Sequence, residues 1–529
     1  MKNIYYNGKI VTMEQDALYA EAAAVCNGKI LCVGTRESVE KKCGEGWNMI
    51  DLQGHTMLPG FIDSHSHFSG MAIAFTQIDL AGTDSYEKVK DKTDRFLKEF
   101  HPEEGGFVLA RNFEPYRADI RDNFTMRELD ELAPGYGVVI QHKSGHMGWM
   151  NSRALAFLKI SDDIENPPGG YIGKMDGKLT GYLEESAFVD NLKKIPFYNP
   201  EQMEHAVKMA QERYASYGIT TVQEGFVLKE LEGPLSAIVD SGNLKLDYVW
   251  YTAMEEWETL REMYPNAIRK YDGHLKIAGC KTFLDGSPQA KTAWLSRPYE
   301  GTDERGYPAM KDEQFEKICT FCMENGVQLL AHCNGDAACQ QYIEVYGKVF
   351  RKYLKDIRPV MIHAQLLRKD QLEEVKKYHM IPSFFVSHVY HWGEVHVKNL
   401  GWERAKSISP LRSAKEMGIP FTIHTDAPVI EPDLLEAVWC SVNRMIKNGT
   451  QLGSEECVKV FDALCAVTKN AAYQYGEEAE KGTIAEGKRA DLVILDENPL
   501  TVKKERIRKI QVLETIKDGE TVFKKTAEK

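Results

Sequence analysis

The chain has 529 residues, well beyond the roughly 100–200 of one ordinary domain, so a large barrel joined to a smaller domain is the expected scale. Its 43% hydrophobic and 27% charged residues are the composition of a folded enzyme. A net charge of −12 leaves no basic footprint and argues against nucleic acid as a partner. No stretch approaches the ~18 apolar residues of a membrane span.

The opening MKNIYYNGKIVTMEQDA lacks the ~7–15-residue apolar run of a secretory signal. The eleven cysteines show no disulfide-framework spacing, so the expected location is cytoplasmic. Residues 1–58 alternate like strands in NIYYNGKIVTM, AEAAAVCNGKILCVG and NMIDLQGHTML, and the NGK tripeptides read as hairpin turns. The same alternation returns in residues 480–529, in GTIAEGKRADLVILDEN and VLETIKDGETVFKK. Neither end can bury a core alone, so the two are expected to join as a composite β-sandwich.

Residues 59–479 repeat a strand-then-helix rhythm. The expected strands are GFIDSHSHF, GITTVQEG, KLDYVWYTA, HLKIAGCKTFLDG, VQLLAHCNG, RPVMIHAQ, IPSFFVSHVY and PFTIHTDAPV. Helical patterns such as PEQMEHAVKMAQERYASYG and KDQLEEVKKY fall between them. KDEQFEKICTFCMEN is another, and its Cys319 and Cys322 read as buried helix-face thiols, since no second CxxC follows. Such alternation predicts an α/β fold, and eight parallel strands are what a closed (β/α)8 TIM-type barrel requires. The stretch 69–200, after the first barrel strand, is too long for a loop and is expected to be an inserted subdomain.

Chemistry gathers where these strands end. His65 and His67 close the first, and their i,i+2 spacing would put both rings on one face of a strand. Lys281 lies late in the fourth, His332 and His363 end the fifth and sixth, and Asp426 ends the eighth. Barrel enzymes build their sites from the C-terminal ends of their strands. Each residue alone has a structural explanation, such as a hydrogen-bonded histidine or a turn-forming aspartate. The six together call for metal.

The segments PGFIDSHSH, KTFLDGS, AHCNGDAA, MIHAQ and HTDAPV resemble the successive metal-site motifs of the amidohydrolase superfamily. The nearest group is its YtcJ-like branch, amidohydrolase family 3, which includes N-substituted formamide deformylases. QHKSGHMGWMNSRAL and GKLTGYLEESA in the insertion share the likeness. Two positions depart from it: Ile362 stands where many relatives carry Glu, and His424 where a small residue is more usual. The resemblance implies two divalent ions, Zn²⁺ foremost, with Lys281 carboxylated by carbon dioxide as a bridging ligand. It places His65, His67 and Asp426 on one ion and His332 with His363 on the other. Metal lowers the pKa of water from 15.7 toward ~7, and Asp426 would serve as general base toward the scissile amide.

Substrate-side residues are read from their positions. His146 in SGHMGWMNS and the run FFVSHVYHWGEVH, with His388, Tyr390, His391 and Trp392, are candidates to contact a hydrophobic or aromatic substituent, with packed turn and loop roles as the alternative. Glu185 and Glu224 are candidate pocket carboxylates, and Asp63 a partner orienting a histidine ligand. The expected function is metal-dependent hydrolysis of a C–N bond in a small-molecule amide, with an N-substituted formamide as the specific case implied by resemblance. A deaminase or cyclic-amide hydrolase on the same scaffold is the alternative. An inactive scaffold or regulatory relative is the rival from another class. A homodimer is an expected assembly, with no interface signal in the sequence.

Overall fold

The computed structural model describes residues 2–117, 119–197 and 200–526. Its centre is a parallel sheet of eight strands in chain order: β1 (Phe61–Ile62), β2 (Ile219–Val227), β3 (Asp247–Thr252), β4 (Leu275–Phe283), β5 (Gln328–Cys333), β6 (Val360–His363), β7 (Ile381–Phe384) and β8 (Thr422–Ile423). Each pairs with the next in parallel register. Every residue of β3, β6 and β7 is buried, as befits parallel strands covered on both faces. Ile62, Val249, Leu330, Val360, Ile362 and Ile381 share one core cluster.

All eight expected strands form, but two are far shorter than their apolar runs suggested. β1 stops at Ile62, so His65 and His67 stand beyond the strand in a turning segment. β8 stops at Ile423, three residues before Asp426. IPSFFVSHVY divides as well: after β7 the chain enters the helix His388–Leu400, which carries His388, Tyr390, His391 and Trp392. The period-2 reading failed there because the buried positions His388, Val389, Gly393, His396 and Leu400 follow a helical repeat.

The two chain ends pair in one mixed sheet of eight strands, in the order 520–524, 512–517, 492–495, 56–59, 2–11, 19–26 and 29–34, with 48–51 alongside 2–11. Alternating residues bury toward separate clusters: Tyr5, Ala23 and Val25 in one, Ile4, Ala22 and Ala24 in the other. Asn27–Gly28 is the expected two-residue turn, with φ of 49° and 76°. The first NGK is no turn. Asn7–Lys9 lie inside the strand Lys2–Val11, where Asn7 at φ 57° marks a register irregularity between Tyr6 and Ile10.

Buried ions tie the start of the parallel strands to this terminal sheet. Asp247, opening β3, lies 2.5 Å from Lys481 Nζ, 3.0 Å from Lys517 Nζ and 4.0 Å from Arg489. Lys517 also pairs with Asp491, and Lys276 of β4 with Glu477. Burial would raise the Asp247 carboxyl, but the two lysines hold it well below the ordinary range.

The chain divides into two compact units, Met1–Phe68 with Gln211–Gly233 and Leu244–Lys529, and Ser69–Ala210 with Pro234–Asn243. The second unit has its own six-stranded sheet, in the order 170–175, 178–185, 147–150, 137–142, 107–113 and 77–79. Its two cores hold Trp149, Phe113 and Tyr182, and Leu109, Val139 and Phe188. Among the described residues no helix is long and apolar enough to cross a membrane.

Candidate metal centre

The turns after β1 and β8 are laced together by backbone bonds. Asp426 N–H donates to His65 O at 3.1 Å, and His67 N–H donates to Ala427 O at 2.7 Å. Asp63 accepts from the Thr425 hydroxyl at 2.5 Å and from the His65 amide at 3.4 Å, so it holds the histidine-bearing turn. His363 and Asp426 both adopt left-handed backbone, with φ of 71° and 57°. Non-glycine residues hold such angles only where their surroundings dictate them.

These turns bring the expected residues together. The rings of His65 and His67 lie 5.2 Å apart, and those of His332 and His363 4.6 Å apart. His65 Nε2 and His67 Nε2 each sit 3.5 Å from Asp426 Oδ1. His363 Nε2 sits 3.1 Å from His332 Nδ1. A ligand atom from each of His65, His363 and Asp426 lies within 4.8 Å of the others.

Hydrogen bonds on the far side of two rings show which nitrogens are bare. His65 Nδ1 lies 2.6 Å from Gln223 Oε1, whose amide nitrogen donates to Ser64 O and to Tyr475 OH. The proton therefore sits on Nδ1, and Nε2 turns its lone pair to the Asp426 carboxylate. His332 Nε2 lies 3.0 Å from Gly286 O, a group that can only accept, and Asn334 Nδ2, 3.0 Å from the same ring nitrogen, donates to that carbonyl at 2.8 Å. His332 Nδ1 is then bare toward His363. Electron pairs meeting across 3–3.5 Å repel unless a cation lies between them. Two imidazole nitrogens on a tetrahedral Zn²⁺ with bonds of ~2.0–2.1 Å stand ~3.3 Å apart, close to this spacing.

Electrostatics agree. Burial, reinforced by neighbouring positive charge, pushes His65 and His363 well below the ordinary histidine range and His332 to about 4, so all three are neutral donors. Burial would raise the Asp426 carboxyl, but His67, His424 and Lys281 keep it below its ordinary value. Lys281 Nζ is buried with no hydrogen-bond partner, and burial lowers its pKa to about 8, against the pull of Asp426. A buried, unpaired amine is costly and calls for a modification or a ligand.

The substrate-side candidates divide. His388 packs 4.6 Å from Phe385, whose ring is 5.4 Å from His424, and Trp392 packs at a tilt 4.6 Å from His388. Tyr390 instead packs on Trp439 at 5.4 Å, and His391 pairs with Glu436 at 2.8 Å. His146 belongs to the inserted unit, where it is exposed and 3.2 Å from Glu185. Glu224 accepts from Tyr248 OH at 2.6 Å, with His67 Nδ1 4.0 Å away.

Sequence reasoning missed three parts of the site. Gln223, in TTVQEG, fixes His65, and nothing in its local pattern distinguishes it from a strand-face amide. Gly225 admits the rings: a Cβ there would stand 2.6 Å from His65 Cε1 and 2.9 Å from His67 Cε1. His424 was visible as an unusual residue, yet only the fold puts its Nε2 3.2 Å from His363 Nδ1. A second acid–histidine cluster, Asp247, His274 and Asp518, is a poor cation site because Lys481 and Lys517 already neutralise Asp247.

The sequence profile of the amidohydrolase family matches residues 48–523. The chain belongs to the amidohydrolase family. This amidohydrolase is a hydrolase acting on carbon–nitrogen bonds other than peptide bonds. It is 25% identical over 543 residues to the putative amidohydrolase YtcJ of Bacillus subtilis (strain 168), covering 99% of this chain and 100% of that one. It is also 25% identical over 536 residues to an N-substituted formamide deformylase of Arthrobacter pascens, with 98% of each chain covered. Its fold is like that of an uncharacterized metal-dependent hydrolase from Pyrococcus furiosus, with a TM-score of 0.75, 23% identity, and coverage of 95% of this chain and 100% of that one.

Proposed function

We propose that the protein hydrolyses the C–N bond of an N-substituted formamide at a centre of two divalent ions, Zn²⁺ foremost. The observation that carries this reading is the pair of donor clusters, His65/His67/Asp426 and His332/His363, with the bare nitrogens of His65 and His332 facing inward and the amine of Lys281 buried without a hydrogen-bond partner. The ions supply Lewis acidity, polarising a carbonyl and acidifying water toward pH ~7. Lys281 would help hold them as a carbamate, its neutral amine forming an N–C bond to carbon dioxide and releasing one proton. Its lowered pKa, about 8, favours that neutral form. Asp426 takes the proton of the attacking water at a carboxylate oxygen and returns it to the leaving nitrogen. Formate and a free amine result.

The eight-stranded sheet acts in this reading as a closed (β/α)8 barrel. The bonds from Ser64 Oγ to Ile423 O and between the turns after β1 and β8 support closure. The terminal sheet, with a core on each face, serves as the β-sandwich domain. Phe385, His388 and Trp392 form the wall that meets an apolar substituent, consistent with the deformylase among its relatives. Eleven free cysteines suit a cytoplasmic enzyme.

The test is a hydrolysis screen of N-substituted formamides, acyl amides and hydantoins with metal-reconstituted protein, reading amine release and formate. Formamide turnover with formate equal to amine is expected. Preferential opening of hydantoins would move the protein to cyclic amides, and no turnover by a two-ion protein would favour the inactive-relative reading.

A further inference from the structure

His424 packs beside Phe385, with ring centroids 5.4 Å apart, and lies fully buried between β7 and the donor cluster. Its Nε2 is 3.2 Å from His363 Nδ1, and its Nδ1 is 2.9 Å from Ser383 Oγ on β7. Ser383 Oγ is 3.1 Å from Ser64 Oγ, and Ser64 Oγ donates to the Ile423 carbonyl at 3.1 Å. Ser64, Ser383, His424 and His363 are all buried, so water does not compete for these bonds.

The direction of this chain is set from its end. A carbonyl can only accept, so the single Ser64 proton goes to Ile423 O. Ser64 Oγ then accepts from Ser383, Ser383 Oγ accepts from His424 Nδ1–H, and His424 Nε2 accepts from His363 Nδ1–H. Four protons serve four contacts. Run the other way, the one Ser64 proton would have to serve both Ser383 and Ile423, and one buried contact would lose its proton. The forward order also leaves His363 Nε2 bare, facing His332 Nδ1 at 3.1 Å.

We propose that His424, held by Ser383 and Ser64, is a positioning residue that locks His363 in the Nδ1–H tautomer and so prepares its Nε2 as a metal ligand. Ligating histidines commonly give their second N–H to a carboxylate, carbonyl or water. Here a buried imidazole takes that place. The inference rests on the metal-centre reading, and its test has one arm that needs no metal.

In metal-free protein labelled with 15N-histidine, the His363 ring is assigned by its absence in His363→Gln. Wild type should show it protonated on Nδ1, with that state lost or mixed in His424→Ala. In the second arm, Zn²⁺ and Co²⁺ affinities are measured by competition with a chromophoric chelator. His424→Ala should weaken one of two ions by about 10–100-fold and leave the other unchanged. Its Co²⁺ absorption spectrum should change, and His424→Gln, whose amide can accept from His363 and donate to Ser383, should restore affinity in large part. Ser383→Ala, the milder variant should His424→Ala not fold, should weaken the same ion to a smaller degree. A wild-type His363 protonated on Nε2, or a His424→Ala protein with unchanged tautomer and ion affinity, would overturn the proposal. A wild type with the Nδ1–H tautomer but only one ion would retain His424 as the tautomer lock and fail the two-ion reading instead.

Discussion

Gly225→Ala is a one-carbon test of the site's geometry. The new Cβ would stand 2.6 Å from His65 Cε1, 2.9 Å from His67 Cε1 and 3.1 Å from His65 Nδ1, whereas ordinary contact begins at 3.4 Å. The His65 ring would have to retreat by 3.4 − 2.6 = 0.8 Å. It has little room, being bonded to Gln223 at 2.6 Å and crowded by His424 and His363 at ring separations of 5.3 and 5.7 Å. His67, with 31% of its side chain exposed, can yield more easily. Overpacking of this kind costs about 1–3 kcal/mol, and a ligand displaced by nearly 1 Å costs on the order of 10²-fold in rate. Thermal unfolding, chelator competition and turnover should show a modest stability loss beside a large loss of metal affinity and activity. Wild-type affinity and turnover in folded Gly225→Ala would refute the placement of His65 and His67 as paired ligands.

Lys281→Met should abolish hydrolysis and lower the metal content while leaving thermal stability equal or higher, because it removes a buried unpaired amine; metal analysis and calorimetry check this. Asp426→Asn should keep the fold by circular dichroism and lower kcat by about 10²–10⁴-fold, and retained turnover would assign the base elsewhere. Asp247→Ala leaves Lys481 and Lys517 buried without their shared partner and should destabilise by about 3–5 kcal/mol in urea unfolding. The Asp247 carboxyl is held well below its ordinary range, so its contribution is complete above pH ~4 and lost as pH falls toward the folded value. The variant should therefore show a shallower acid limb than wild type between pH ~4 and lower values.

What was legible in the sequence was the rhythm and the chemistry at its beats. Eight apolar runs separated by helical patterns specified the parallel strands, because strands buried on both faces must be apolar throughout. Residue types with lone pairs or negative charge at the ends of those runs marked the candidate metal ligands, because few other roles gather them. Local pattern did not mark where strands end. β1 and β8 stop early since the residues that follow them bond across between the two turns, a long-range choice made between positions more than 350 residues apart. Nor could a period of two show that His388 and its neighbours begin a helix.

The candidate ligand set of the amidohydrolase was thus written in the chain, while the settings of those side chains were decided by the tertiary structure. Gln223, Gly225 and the His424–Ser383–Ser64 chain act on His65 and His363 from other strands. A hydrogen bond or a clash between side chains depends on a few tenths of an ångström between strands, and such distances come into being only when the sheet assembles.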